Sequence, residues 1–255
     1  MCTVSFISRP GGYALAMNRD EQRSRGPGLP PQVRKQSRQL VLSPSERGGG
    51  TWIALNGSGV SFALVNGYSI PQDGQLATVS RGEVVNAVSD KDRARLVDKR
   101  LGELPLAYIK PFRLIGVFPH RQEIIQWQWN LEKLVRVRHE WKAQQWISSG
   151  FNEPMAQQVR RRMFEIALLQ EDAGSIDWLR QLHSSHLPET GPFSTCMHRP
   201  DAVTVSSTEI VVSGDEGTMT HVNGAPCKYS DQERLEIRLP IRGRMQTSVA
   251  TCAMA

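Results

Sequence analysis

The sequence predicts an α+β fold in which two mostly antiparallel sheets pack face to face with helices outside. Three observations predict it. Strand-like runs open and close the chain while helical patterns lie between them, with no strand–helix–strand alternation that would signal a parallel sheet. Two turn signals, Arg9-Pro10-Gly11-Gly12 and Asn56-Gly57-Ser58-Gly59, each separate short apolar runs and so read as hairpins. Neither an internal repeat nor a clean linker divides the chain, so residues 1–230 read as one domain followed by a basic, mobile tail over 231–255.

In order, residues 3–7 and 13–17 form the first hairpin. Residues 22–47 are rich in Pro, Gly, Ser and Arg with little periodicity, which predicts a long surface loop bordering a binding site. Residues 51–55 and 60–65 form the second hairpin, and 81–104 read as helix, with Asp90 capping its 93–101 portion. Strands are expected at 112–118, 123–129, 133–139 and 144–147. Pro154 opens a helix running to about residue 170, and 175–183 forms another. Strands return at 202–205, 209–212 and 219–222.

Bulk properties exclude several classes. Hydrophobic residues make up 39% and charged residues 22% of the 255, which is too apolar for a disordered chain. No apolar run is long enough to cross a bilayer, and the start lacks a basic-then-apolar leader, so a cytoplasmic protein is expected. Four cysteines without a Cys-x-x-Cys pair fit reduced thiols. The net charge of +6 is scattered rather than striped, so no nucleic-acid partner is assigned. The densest basic cluster, Arg160-Arg161-Arg162, reads as the solvated face of its helix.

The informative chemistry lies in the first twenty residues. Removing Met1 ahead of the small Cys2 would leave a thiol and a free α-amine on one residue. An α-amine titrates near 7.7–8.0, so it can accept the thiol proton without a histidine. With the turn centred on Pro10 to Gly12, Cys2 lies opposite Arg19 or Asp20. Adjacent strand residues face opposite ways, so only one of the two points squarely at Cys2. Charge favours Asp20, whose carboxylate would stabilise the α-ammonium, while Arg19 would hold a substrate carbonyl. The competing reading is a small buried cysteine beside a solvated strand exit.

Met1-Cys2-Thr3 followed by Asn18-Arg19-Asp20-Glu21 resembles the NRDE-motif family, also called transport and Golgi organisation protein 2-like. Gly50-Thr51-Trp52 with Asn66, Ser80-Arg81-Gly82, the run from Ser194 to Arg199 and Gly224-Ala225-Pro226-Cys227 extend the resemblance to about residue 230. That family is similar to the N-terminal-nucleophile hydrolases near the choloylglycine hydrolase and penicillin V acylase group. The resemblance implies a four-layer αββα sandwich and amide hydrolysis through a Cys2 thioester. It carries Cys2 over as nucleophile and Arg19 and Asp20 as its neighbours. In the acylases the arginine and aspartate are separated by two residues, whereas here they are adjacent. Asn66 is the first candidate for an oxyanion-hole donor and Asn152 the second; Asn18, Arg81 and Arg199 complete the expected substrate contacts.

Cys196, His198, His221 and Cys227 do not match zinc-ligand spacings, so no metal and no cofactor is expected. Trp127, Trp129, Trp141 and Trp146 read as sheet packing. The function expected is hydrolysis of a non-peptide C–N amide bond in a small molecule. The alternative is a non-catalytic intracellular carrier or trafficking protein for haem or a lipid-like ligand.

Overall fold

The computed structural model describes residues 2–70 and 78–242. Strand periodicity makes the first hairpin the centre of the fold. In β1 (Cys2–Arg9) the side chains of Cys2, Val4 and Phe6 enter the space between two sheets, and in β2 (Gly12–Gln22) those of Tyr13, Leu15 and Met17 join them. Ile7, Ala14 and Ala16 face the other way, as a period of two requires. The turn depends on Gly11 at φ +71° and on Gly12, where a Cβ would lie 1.8 Å from the Val212 carbonyl oxygen.

The first sheet adds β10 (Gln144–Ser148) beside β1, then β11 (Ala202–Ser213), β12 (Glu216–Val222) and β13 (Leu235–Pro240) beyond β2. The second is an antiparallel meander in chain order: β3 (Leu29–Gln36), β4 (Gln39–Ser45), β5 (Ile53–Asn56), β6 (Ser61–Asn66), β7 (Phe112–Phe118), β8 (Glu123–Trp129) and β9 (Leu134–His139). The helices are α1 (Gly82–Val88), α2 (Ala94–Gly102), α3 (Glu153–Ala167) and α4 (Ile176–Ser184). Among the described residues, three apolar clusters correspond to three interfaces. Leu15, Met17, Leu55, Val65 and Ile115 fill the space between the sheets. Val85, Val88 and Val97 pack α1 and α2 onto Phe62 and Leu114 of the second sheet, and Phe164, Trp178 and Leu182 pack α3 and α4 onto the first. The result is the expected αββα sandwich, each fully buried large side chain contributing about 1.5–3 kcal/mol.

The structure corrects several sequence expectations. Residues 22–47 are not a loop: they hold β3 and β4. Pro30 and Pro31 sit where the β3–β4 register shifts between Leu29 and Gln32, on an edge strand, where missing N–H donors cost least. The 81–104 helix is two helices. Asn56 donates to the Ser89 and Lys91 carbonyls and holds the break between them, and extended Arg93, not Asp90, precedes α2. Strands 202–205 and 209–212 are one strand, β11, with a bulge between Thr204 and Ser206. Part of the expected tail forms β13, paired to β12; residues 243–255 and Met1 lie outside the described residues.

The helix-facing side of β1 and β2 carries a buried polar layer. Arg160 of α3 is buried, not solvated: its Nη1 donates to Thr3 Oγ1 at 2.8 Å and to Asp20 Oδ2 at 3.4 Å. Asn18 donates to the carbonyls of His183 and Thr195, and His183 Nε2 lies 2.9 Å from Ser5 Oγ. Two outcomes follow from this layer. Removing Arg160 strands a buried carboxylate, so Arg160→Met should cost about 3–5 kcal/mol in urea unfolding, while exposed Arg161→Ala stays within about 0.5 kcal/mol. Equal effects would contradict the burial. Burial also pushes the His183 imidazole down to about 3, whereas an unfolded histidine titrates near 6.5. Between those values the unfolded chain binds a proton that the folded chain refuses, so stability falls as pH drops through the window, by up to ~1.36 kcal/mol per pH unit. His183→Gln should flatten the fall in unfolding free energy between pH 6.5 and 4.5; an unchanged slope would assign it elsewhere.

Candidate active site

The hairpin register places Cys2 opposite Arg19 and Thr3 opposite Asn18. Cys2 and Arg19 share the inter-sheet face, and their side chains line a pocket of about 240 Å³ at the end of the sandwich. Arg19 is fixed on three sides. Its Nη2 lies 2.7 Å from Glu46 Oε1 and 3.6 Å from Glu21 Oε2, and its guanidinium stacks 4.5 Å from the Trp52 ring centroid. Arg25 ties the same two carboxylates together at 2.8 Å each. This network forms one rim of the pocket and takes up its negative charge.

Two glycines bring the other wall in. A Cβ on Gly82 would lie 2.8 Å from Gly50 Cα, so the turn before β5 and the start of α1 touch backbone to backbone. That contact sets Thr51, Trp52 and Arg81 around the pocket. Arg81 reaches over the Tyr68 ring, 5.8 Å from its centroid, and donates to the Pro111 carbonyl at 3.3 Å. No carboxylate pairs with Arg81 among the described residues, and burial holds its guanidinium below the usual arginine range. Asn66, at the end of β6, lines the pocket and donates one amide N–H to Tyr68 Oη at 2.8 Å, leaving a second N–H.

Asp20 occupies a different position from the one charge alone favours. Its carboxylate turns to the helix side of the sheet, accepting from Thr204 Oγ1 at 2.7 Å and from Arg160. It nevertheless borders the pocket, because β1 ends at Cys2 and Asp20 lies one residue beyond the Cys2–Arg19 pair. Burial pushes the Cys2 thiol above its ordinary range; Asp20 adds to that and Arg19 opposes it. The resting sulfur is therefore a thiol that needs a base.

Three expected contacts lie elsewhere. Asn18 is buried in the polar layer against α4. Asn152 caps α3, its Oδ1 accepting from the Met155 N–H at 3.3 Å. Arg199 pairs with Asp201 at 2.7 Å and stacks on Phe151. None of the three is among the residues lining the pocket. Conversely, sequence reasoning missed Glu46, hidden in the segment read as loop, and Arg160. The latter left a signal: Ala156, Arg160 and Phe164 recur every four residues on the buried stripe of α3.

No curated protein matches the chain. Among solved structures it is similar to two variants of conjugated bile acid hydrolase from Clostridium perfringens. Their TM-scores are 0.56 and 0.53, each at 11% identity over 93% of this chain and 92% of that one. It is also similar to penicillin V acylase from Agrobacterium tumefaciens, with TM-score 0.50 and 12% identity over 86% and 82%. These likenesses establish the N-terminal-nucleophile hydrolase fold. The family described as Transport and Golgi organisation 2 matches residues 1–148, which hold the first hairpin, the second sheet and every residue lining the pocket; the chain belongs to that family.

Proposed function

We propose that the protein hydrolyses a non-peptide C–N amide bond in a small polar molecule, with Cys2 as nucleophile after removal of Met1. One observation carries the reading: the Cys2 side chain enters a pocket opposite a fixed arginine, at the very start of a strand. An α-amine at that strand end would sit on the same residue as the thiol and beside Asp20. It takes the Sγ proton as sulfur attacks the amide carbonyl carbon. Asn66, which lines the same pocket and has a second amide N–H, serves as the donor to the oxyanion of the tetrahedral state, and Arg19 or Arg81 holds an anionic or carbonyl group of the substrate. The C–N bond then breaks, the ammonium returns its proton to the leaving amine, and water hydrolyses the Cys2 thioester with the amine again as base. Asp20, bordering the pocket with its oxygens held by Thr204 and Arg160, favours the ammonium form through its field rather than by direct contact.

The pocket's modest volume and charged lining favour this reading over carriage of haem or a lipid-like ligand. The described thiols Cys2, Cys196 and Cys227 are free, which fits a reducing compartment such as the cytosol.

Intact mass after incubation with a panel of small N-acyl amides and penicillin V provides the test. A mature chain should gain one acyl group on Cys2, lost on hydroxylamine treatment, and Cys2→Ser should gain none. Asn66→Ala should slow acylation by roughly 10²-fold, and Asp20→Asn by roughly tenfold or more near neutral pH. A mature chain left unmodified by the whole panel, or acylated equally well as Cys2→Ser, would contradict the proposal.

A further inference from the structure

The geometry points to a structural zinc site formed by His186, Cys196, His198 and Cys227, behind the wall that carries Asp20. One ligand atom from each of the four lies within 4.8 Å of all the others. His198 Nε2 is 3.6 Å from Cys196 Sγ and 3.4 Å from Cys227 Sγ. Zinc holds sulfur at about 2.3 Å and nitrogen at about 2.0–2.1 Å, so a tetrahedral centre places an S and an N about 3.6 Å apart. The two observed edges match that spacing. His186 contributes a second, independent sign: its Nε2 is buried with no hydrogen-bond partner, and its ring lies 5.0 Å from that of His198 at 76°. Both cysteines are free.

Linear spacing hides this set, because the fold assembles it from two places. His186, Cys196 and His198 belong to the connection between α4 and β11, while Cys227 lies in the 3-10 turn Pro226–Lys228 after β12. His221, which the sequence groups with them, is bonded through Nδ1 to Thr208 Oγ1 at 2.9 Å and takes no part.

The donor set specifies the ion. Two sulfurs and two imidazoles in a tetrahedron select zinc over the oxygen-preferring magnesium and calcium. Binding replaces two S–H protons with one divalent cation, leaving a site of no net charge, which suits partial burial. Four protein ligands leave no open position, so the metal's role is to staple. What it staples is specific. Between two ligands, the Met197 N–H donates to Thr204 Oγ1 at 2.8 Å, and that hydroxyl donates to Asp20 Oδ1 at 2.7 Å. The ion thereby anchors the segment that orients Asp20, without touching substrate.

The full chain purified without chelator should carry one zinc per molecule by plasma mass spectrometry. After chelation, added Co²⁺ should give a thiolate-to-cobalt charge-transfer band and tetrahedral d–d bands. Cys227→Ser and His186→Ala should weaken metal affinity by roughly 100-fold or more, with circular dichroism matching the wild-type apo chain, while Cys2→Ser keeps one metal. Wild-type protein giving no thiolate–cobalt band overturns the proposal, whatever the variants do. So does a Cys196–Cys227 disulfide, read as a loss of two hydrogens in the non-reduced mass, or metal lost on Cys2→Ser, which would place the ion in the other site.

Discussion

The register of the first hairpin is the constraint on which the pocket depends. Cys2 pairs with Arg19 and Thr3 with Asn18, and a slip of one residue would turn every side chain of one of the two strands to the opposite face relative to its partner. The slip is prevented at both ends. Gly11 fixes the turn in the left-handed region, and Val4, Phe6, Leu15 and Met17 are committed to the inter-sheet core. Arg19 therefore enters the pocket with Cys2 for the same reason that Met17 enters the core, and the Asp20 carboxylate turns to the helix side for the same reason that Ala16 faces the helices.

What Asp20 does instead gives the first sheet its second face. Thr3, Ser5, Asn18 and Asp20 are all buried, and Arg160, Thr204 and His183 answer them from neighbouring elements. Such a layer stabilises less than an apolar one would, because desolvation offsets most of the ion-pair energy. Its effect is positional: each donor accepts one geometry, so α3, α4 and the bulged part of β11 are held in register with the hairpin. Asp20 is thus fixed from behind while its edge stays at the mouth of the pocket.

Much of this was legible in the sequence. Strands 112–118 and 123–129 agree with β7 and β8 to the residue, because both faces are buried and the turns between them are short. The second hairpin was visible through Asn56-Gly57-Ser58-Gly59, whose asparagine also accepts from the Ser58 and Val60 N–H groups. Of the four edge strands, β9 and β10 were expected at 133–139 and 144–147, whereas β3 and β13 were not legible. β3 has one buried residue among eight and β13 one among six, so neither leaves an alternating pattern. The site was legible as a set of residue types, Cys2, Arg19, Asp20, Asn66 and Arg81, but not as a direction, since charge preference pointed to Asp20 where pleat geometry chose Arg19. Asn152 and Arg199 carried the right chemistry for a site but are spent on a helix cap and a surface pair.

In the mechanism proposed here the thiol of Cys2, raised by burial, depends on its own α-amine for activation. The most direct measurement is the rate of Cys2 alkylation by iodoacetamide against pH, in a chain starting at Cys2 and in one that retains Met1 blocked by N-acetylation, with Cys196 and Cys227 replaced by serine in both. The free chain should react roughly tenfold faster near pH 8, with an inflection close to the amine's own titration near 7.7–8.0. The blocked chain should gain rate only at higher pH, as an ordinary buried thiol does. Superimposable profiles would show that the amine plays no part, and the nucleophile assigned to this pocket would fall with it.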